Sequence, residues 1–318
     1  MQEQSRKPKG GWRQLEFRYV MCIPTSLCAI CIFAVVFVIS LILGAVLLSY
    51  SYQIVDYKAR YDDICEDKIN KICPIRLNFT DKLSKPVYLY FELKNYFQNH
   101  RKYVKSYCQN QLADKSYDSS SCQYCSPYLR ADDYPDDKRN KITKLDGVSK
   151  FKDHDIVNPC GLIAFSLFRD KFYLIDKSGN NITIEDNDIH WFTDDDSKYK
   201  NSDDYKQKQY KDFEDPHFKV WMRTSATSTV RKLYGKIDKN LDGKDMWLNI
   251  SNYEDYSDFD GEKWVIFSTT TGIGGKNLVL GWSLIVIAIL SMVWIIAFSL
   301  IAYSKKSVDL EAELKKLL

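Results

Sequence analysis

The chain is 318 residues long, with 45 Lys and Arg against 42 Asp and Glu and a formal net charge of +3. So small a surplus gives no argument for nucleic-acid binding, and no nucleic-acid partner is expected. Hydrophobic residues make up 45% of the sequence, and two charge-free blocks near the ends are so dense in them that no chain average describes the polar segment between.

Residues 1–18 are too short and too polar to fold alone, and Arg6, Lys7, Lys9, Arg13 and Arg18 outnumber Glu3 and Glu16. Residues 19–55 carry no charge, and 21–48 are almost wholly apolar. A helix needs about 20 apolar residues to cross a hydrocarbon core of roughly 30 Å, which predicts a transmembrane helix over 19–49. A cleaved secretory signal has an apolar region of only about 7 to 15 residues, so an uncleaved anchor is expected. Trp12 and Tyr19 on one side, and Tyr50 and Tyr52 on the other, stand where interfacial aromatics belong. Pro24 falls in the first turns, where proline costs least. Cys28 and Cys31 have CxxC spacing, but thiolate chemistry needs a polar setting, so they read as small packing residues. Cys22, near the cytosolic edge, is a palmitoylation candidate.

Residues 50–276 suffice for one sizeable core, and their apolar signal comes in short pieces. Val87, Leu89, Phe91 and Leu93 alternate with Tyr88, Tyr90 and Glu92; Phe218, Val220 and Met222 alternate with Lys219, Trp221 and Arg223. Period-two alternation predicts half-buried strands. Residues 161–168, 172–175, 233–237 and 264–268 read as further strands, and pieces this short argue against a helical domain. The fold class is therefore a membrane protein with two transmembrane helices and a large, mainly antiparallel β-sandwich between them. Residues 131–155 and 193–216, the latter dense in Asp, Lys and Tyr, read as solvated loops.

Motifs that carry chemistry are approached here and missed. Thr271-Gly-Ile-Gly-Gly-Lys-Asn277 lacks the first glycine of a phosphate-binding loop and has Asn277 where Ser or Thr must reach the metal; its glycines read as sites of close backbone packing. Asp238-x-Asn240-x-Asp242-Gly243 opens like a calcium loop, but its twelfth position is Asn249 rather than a bidentate Glu, so a tight turn is expected. Cys122-x-x-Cys125 has no second such pair and no paired histidines, as zinc would need. His100, His154, His190 and His217 show no ligand spacing. No catalytic constellation, cofactor or metal site is expected.

The second block, 277–304, has Trp282 and Tyr303 near its edges and predicts a transmembrane helix over 277–303. Residues 304–318 hold Lys305, Lys306, Lys315 and Lys316 against Asp309, Glu311 and Glu313. Lys and Arg close to a span stay on the cytosolic side, so both tails are expected in the cytosol and 50–276 in the lumen or outside. The tails account for more than the chain's whole positive surplus, which leaves that segment near neutral. Leu310, Leu314, Leu317 and Leu318 at helical spacing predict a short amphipathic tail able to rest on the bilayer or a partner. Cys65, Cys73, Cys108, Cys122, Cys125 and Cys160 all fall between the spans, an even set in an oxidising compartment, so disulfides are the default. The chain's three glycosylation tripeptides, at Asn78, Asn181 and Asn249, lie there too.

Four segments in order carry a likeness: PVYLYFELKNYFQNHRKYVKS at 86–106, NPCGLIAFSLFRD at 158–170, FKVWMRTSATSTVRKLYGKI at 218–237 and STTTGIGGKN at 268–277. Together they resemble the accessory (beta) subunits of lipid flippases, a family named for cell-division-cycle and ligand-effect-modulator genes. The likeness runs from about Gln53 to the second span; residues 12–25 lack the family's Gln-Gln and Pro-rich approach to the first. The resemblance implies a heterodimer with the catalytic subunit of a type-IV P-type ATPase, contact with membrane lipids, and a part in moving aminophospholipids to the cytosolic leaflet. It implies residence in the endoplasmic reticulum, Golgi, endosome or plasma membrane, and a non-catalytic role in folding, exporting and running the pump. Physical reading of the residues alone also allows a glycosylated two-span receptor or adhesion protein, or a membrane-anchored lumenal enzyme. Six cysteines allow fifteen pairings; Cys65 and Cys73 can close a small loop, the resemblance implies a Cys125–Cys160 bridge, and with that pair Cys108 is assigned to Cys122.

Overall fold

The computed structural model describes residues 25–65, 69–194, 198–243, 245–272 and 274–317. The N-terminal tail, Trp12, Tyr19, Cys22, Pro24 and Leu318 lie outside them, as do the side chains of Leu310, Leu314 and Leu317. The chain divides into two compact units, one built from its two ends and one from residues 52–276.

The first unit is a pair of helices, α1 (Ser26–Gln53) and α7 (Leu278–Leu317). Both are long and apolar enough to cross a bilayer. Most of their large side chains are exposed, while the small residues Ala29, Ser40, Gly44, Ser51, Gly281, Ala288 and Ser291 are buried. A β-carbon on Gly44 would stand 2.9 Å from Ile285 Cδ1, and one on Gly281 would stand 2.7 Å from Leu48 Cδ2, so glycine sets how closely the two helices approach. Phe33 stacks on Trp294 and Phe298, at centroid distances of 6.1 and 5.9 Å. The helix α7 continues through Ser307 to Leu317, so the C-terminal tail prolongs the helix beyond the apolar span and is not a separate element.

The second unit holds two antiparallel four-stranded sheets. Its strands are β1 (Asp56–Arg60), β2 (Lys71–Leu77), β3 (Val87–Lys94), β4 (Lys171–Ile175), β5 (Asn181–Ile182), β6 (Val230–Ile237), β7 (Met246–Asn252) and β8 (Glu262–Thr269). Their orders are β1-β8-β3-β6 and β2-β7-β4-β5. Short helices α2 (Arg101–Lys105), α3 (Gln109–Leu112), α4 (Leu162–Phe165), α5 (Tyr205–Lys208) and α6 (Pro216–Met222) occupy the connections. Val87, Leu89, Phe91 and Leu93 of β3 point inward, as the alternation requires, and meet Cys73, Ile75, Leu77, Leu174, Leu248 and Ile250 of the other sheet in one core.

Residues 218–222 are helical, against the strand expected from their alternation. Asp215 caps the helix, its Oδ1 accepting from the His217 backbone N at 3.2 Å, and Pro216 occupies the first turn. Phe218, Trp221 and Met222, three and four residues apart, form its buried face. Residues 161–168 are likewise not a strand: Gly161 takes φ +98°, and Leu162 N donates to Ser106 Oγ at 2.8 Å to start α4. The two expected loops are not bare. Tyr134, Ile142 and Tyr210 build a satellite core with Ala131 and Val157, and Tyr199 and Phe213 enter the main one. Four strands went unforeseen: β1, β2, β5 and β7.

The calcium-like segment is the turn between β6 and β7, with Gly243 at φ +92° and Asn240 Oδ1 accepting from Lys85 N at 2.8 Å. The glycines near 272–275 are not close-packing sites. A β-carbon on Gly272, Gly274 or Gly275 would meet nothing within 4 Å; Gly274, at φ +109°, serves the turn in which its carbonyl accepts from Thr271 N at 3.1 Å.

Candidate functional site

The described residues of the ectodomain hold three features of functional interest: a sulfur cluster, a buried charge network and an aromatic cavity. Cys125–Cys160 and Cys108–Cys122 are bridged side by side, their sulfurs buried around Leu129, and Cys65–Cys73 is bridged apart from them. Among the described residues the Cys108, Cys122 and Cys160 sulfurs are the one group close enough to suggest a metal, yet bridged sulfur offers no thiolate to bind it. Gln111, at 2% exposure, ties the cluster in: its Oε1 accepts from Cys160 N at 2.9 Å and its Nε2 donates to Val157 O at 2.9 Å.

The charge network centres on Asp170 and Lys263, both almost without exposure. Lys263 Nζ donates to Asp170 Oδ2 at 2.9 Å, to the Glu254 carbonyl at 2.5 Å and to Asn252 Oδ1. Tyr61 donates to the same Asp170 oxygen at 3.0 Å, and the Tyr253 and Glu254 backbone N–H groups donate to the other, at 2.6 and 3.1 Å. Burial first, and then the Asp170 carboxylate, push the Tyr61 phenol well above its ordinary range. Every lone pair is met, the condition under which a buried ion pair is tolerated. Asn252 Nδ2 donates in turn to Cys65 O at 3.0 Å, so the network joins β8, the end of β7 and the Cys65–Cys73 loop.

Beside it opens a cavity of about 570 Å³. Phe91 and Phe168, stacked at 4.0 Å, and Trp221 form its floor; Arg169, Lys171, Asp186, Asp215 and His217 line its rim. His217 Nε2 donates to Tyr234 O at 2.9 Å, and its Nδ1 lies 3.7 Å from both Asp215 and Asp186 carboxylates. Burial opposes charge on this imidazole, but the two carboxylates and the carbonyl outweigh it and hold the pKa above its ordinary value. The other histidines are dispersed: His100 caps α2, and His154 pairs with Asp132 at the surface. Nothing here pairs a nucleophile with a base; the rim offers binding groups of both signs. Elsewhere Asp194 is 2% exposed and held below the carboxylate range: burial disfavours its charge, but Arg223, at 2.5 and 2.8 Å, and Lys198, at 2.7 Å, outweigh that.

Of the residues singled out in the sequence, Asn78 and Asn181 are exposed and Asn249 is half-buried in β7. Cys28 and Cys31 are exposed on α1. Asp170 and Lys263 were not singled out; Asp170 closes the 158–170 segment, but a single Asp and Lys far apart in sequence give no signal that they meet.

The profile of the LEM3 (ligand-effect modulator 3) family / CDC50 family matches residues 44–308. The chain is 31% identical to ALA-interacting subunit 3 of Arabidopsis thaliana over 328 aligned positions, covering 93% of this chain and 86% of that protein. It is 32% identical to Cell cycle control protein 50A of Mus musculus over 260 positions, covering 69% and 65% of the two chains. With Cell cycle control protein 50B of Homo sapiens it shares 28% over 251 positions, covering 68% and 66%.

Proposed function

We propose, from the premise that this chain belongs to the LEM3/CDC50 family, that it is the non-catalytic accessory subunit of a type-IV P-type ATPase that flips phospholipids. The observation that carries this is the extent of the match, which runs from residue 44 to 308 and so takes in the end of the first apolar helix, the whole β-domain and the whole of the second apolar span. In this reading residues 1–18 and 304–318 are cytosolic, 19–49 and 277–303 span the bilayer, and 50–276 form a lumenal domain. That domain is disulfide-bonded at Cys65, Cys73, Cys108, Cys122, Cys125 and Cys160 and glycosylated at Asn78, Asn181 and Asn249.

The subunit folds the pump, accompanies it out of the endoplasmic reticulum and takes part in its cycle, along the Golgi, endosome and plasma-membrane route. It binds on three fronts: the helix pair beside the pump's membrane domain, the sandwich over its exoplasmic loops, and the basic tails against cytosolic segments or anionic lipid. Gly44 and Gly281 are spent on packing α1 against α7, so contact with the pump falls to the outward residues, among them Ala45, Trp282, Ser283 and Trp294. Affinity purification of the full chain in mild detergent, followed by mass spectrometry, is expected to recover a multi-span ATPase in equal amount. A chain that purifies alone and binds an extracellular ligand would instead be a receptor or adhesion protein.

A further inference from the structure

The outer face of the β2-β7-β4-β5 sheet carries exposed apolar side chains around its centre. In register its side chains form three rows: Ile72–Ser251–Lys171, Pro74–Asn249–Tyr173 and Arg76–Trp247–Ile175. Ile72, Trp247 and Tyr173 are 62%, 42% and 49% exposed, a clustering that in a lumenal domain calls for a cover. Asn249 stands in the middle row. Directly opposed residues of antiparallel strands have Cβ atoms about 4.5 to 5.5 Å apart, so Pro74 and Tyr173 flank it. Residues two apart along a strand are separated by about 7 Å, which puts Trp247 and Ser251 on either side of it in β7. The Asn249 amide makes no side-chain hydrogen bond among the described residues, and Ser251 completes its acceptor tripeptide.

We propose that an N-linked glycan on Asn249 is this cover, the C–H-rich face of its first sugar lying across the rings of Tyr173 and Trp247, and that it closes this sheet to protein partners. Attachment joins Asn249 Nδ2 to the anomeric carbon of an oligosaccharide carried on a polyprenyl diphosphate. The carbon–oxygen bond to the carrier breaks, and the amide gives up one proton to the departing diphosphate. A sugar is favoured over a protein chain because its anchor lies inside the patch, flanked by Pro74 and Tyr173, so that a partner laid on this sheet would meet it first. The remaining acceptors stand at the border of the same face. Asn181 is paired with Ile175 at the end of the third row, and Asn78 Oδ1 accepts from Asp245 N at 3.4 Å just beyond the paired ends of β2 and β7. The outer face of the β1-β8-β3-β6 sheet carries none of the three.

The inference rests on the lumenal placement of residues 50–276 proposed above. It is tested on the full chain from a host that adds high-mannose glycans, by mass-spectrometric occupancy at the three acceptors and hydroxyl-radical footprinting of Tyr173 and Trp247, with Trp191 as reference. Three forms are compared: intact, trimmed by endoglycosidase H to one sugar, and stripped by peptide amidase; Asn249→Gln is the fourth. Tyr173 and Trp247 are expected to be protected in the first two and oxidised several-fold more in the last two, with Trp191 unchanged. An occupied Asn249 with equal labelling in all forms overturns the cover, as does protection that survives stripping whenever the ATPase is bound, which would make a protein the occupant. An empty Asn249 beside occupied Asn78 and Asn181 overturns the cover alone; three empty acceptors overturn the lumenal placement with it.

Discussion

Asp170 and Lys263 hold the two sheets together at one end through donors and acceptors that all find partners. Removing one member strands the other as a buried charge, which costs about 3 to 5 kcal/mol, whereas replacing both by apolar residues of similar volume can be neutral or better. Asp170→Ala and Lys263→Met are therefore each expected to lower the denaturation midpoint of the purified chain far more than the double variant does; equal losses in all three would refute the pairing. His217 adds a dependence on pH. Because its folded pKa is raised by Asp215 and Asp186, the stability it contributes is complete below its unfolded value of ~6.5 and drains away as the pH rises through the higher folded value. Asp215→Asn is expected to lower the His217 midpoint followed by NMR; an unchanged midpoint would show that the carboxylate does not act on it.

The elements differ in how plainly their residues announce them. In β3 every inward residue is apolar and the strand carries its own evidence. In α6 the same alternation misleads, because Trp221, which it puts outward, is 1% exposed and donates to Ile163 O at 2.8 Å; Asp215 and Pro216 mark a helix start instead. The strand β2 hides behind Pro74, which its place at the sheet edge tolerates. In β1 all but Tyr57 and Ala59 are charged, and β7 alternates with Asn and Ser on its outer face, so pairing with neighbours creates strands that local pattern does not. Disulfide loops are clearer. With Cys125 and Cys160 separated by 35 positions in sequence, chain-entropy scaling assigns their bridge about 3 to 4 kcal/mol. Cys125→Ser or Cys160→Ser is expected to impair folding more than loss of the Cys65–Cys73 bridge, as read by the share of chain that leaves the endoplasmic reticulum. In the helix pair, Gly281→Ile drives a branched side chain onto Leu48, an overpacking worth about 1 to 3 kcal/mol. Disulfide trapping between cysteines placed on facing turns of α1 and α7 should fall; undiminished trapping would mean the helices tolerate the extra volume.

At the scale of the whole molecule, what was legible followed from the sharpest physical contrasts: charge-free blocks against charged sequence gave the two helices, and short apolar pieces gave a β-domain. The cavity beneath Arg169 and His217 and the buried charge network were not legible, since both are assembled from residues tens of positions apart whose types recur all along the chain. The role proposed for this chain is that of accessory subunit to a lipid-flipping ATPase. It is tested most directly in cells lacking the chain and any paralogue, by following the ATPase's location and the inward movement of a fluorescent aminophospholipid. The pump is expected to stay in the endoplasmic reticulum, with lipid uptake restored by the wild-type chain but not by Cys125→Ser; a pump that reaches its membrane and flips lipid at the normal rate without this chain would show that it needs no such subunit.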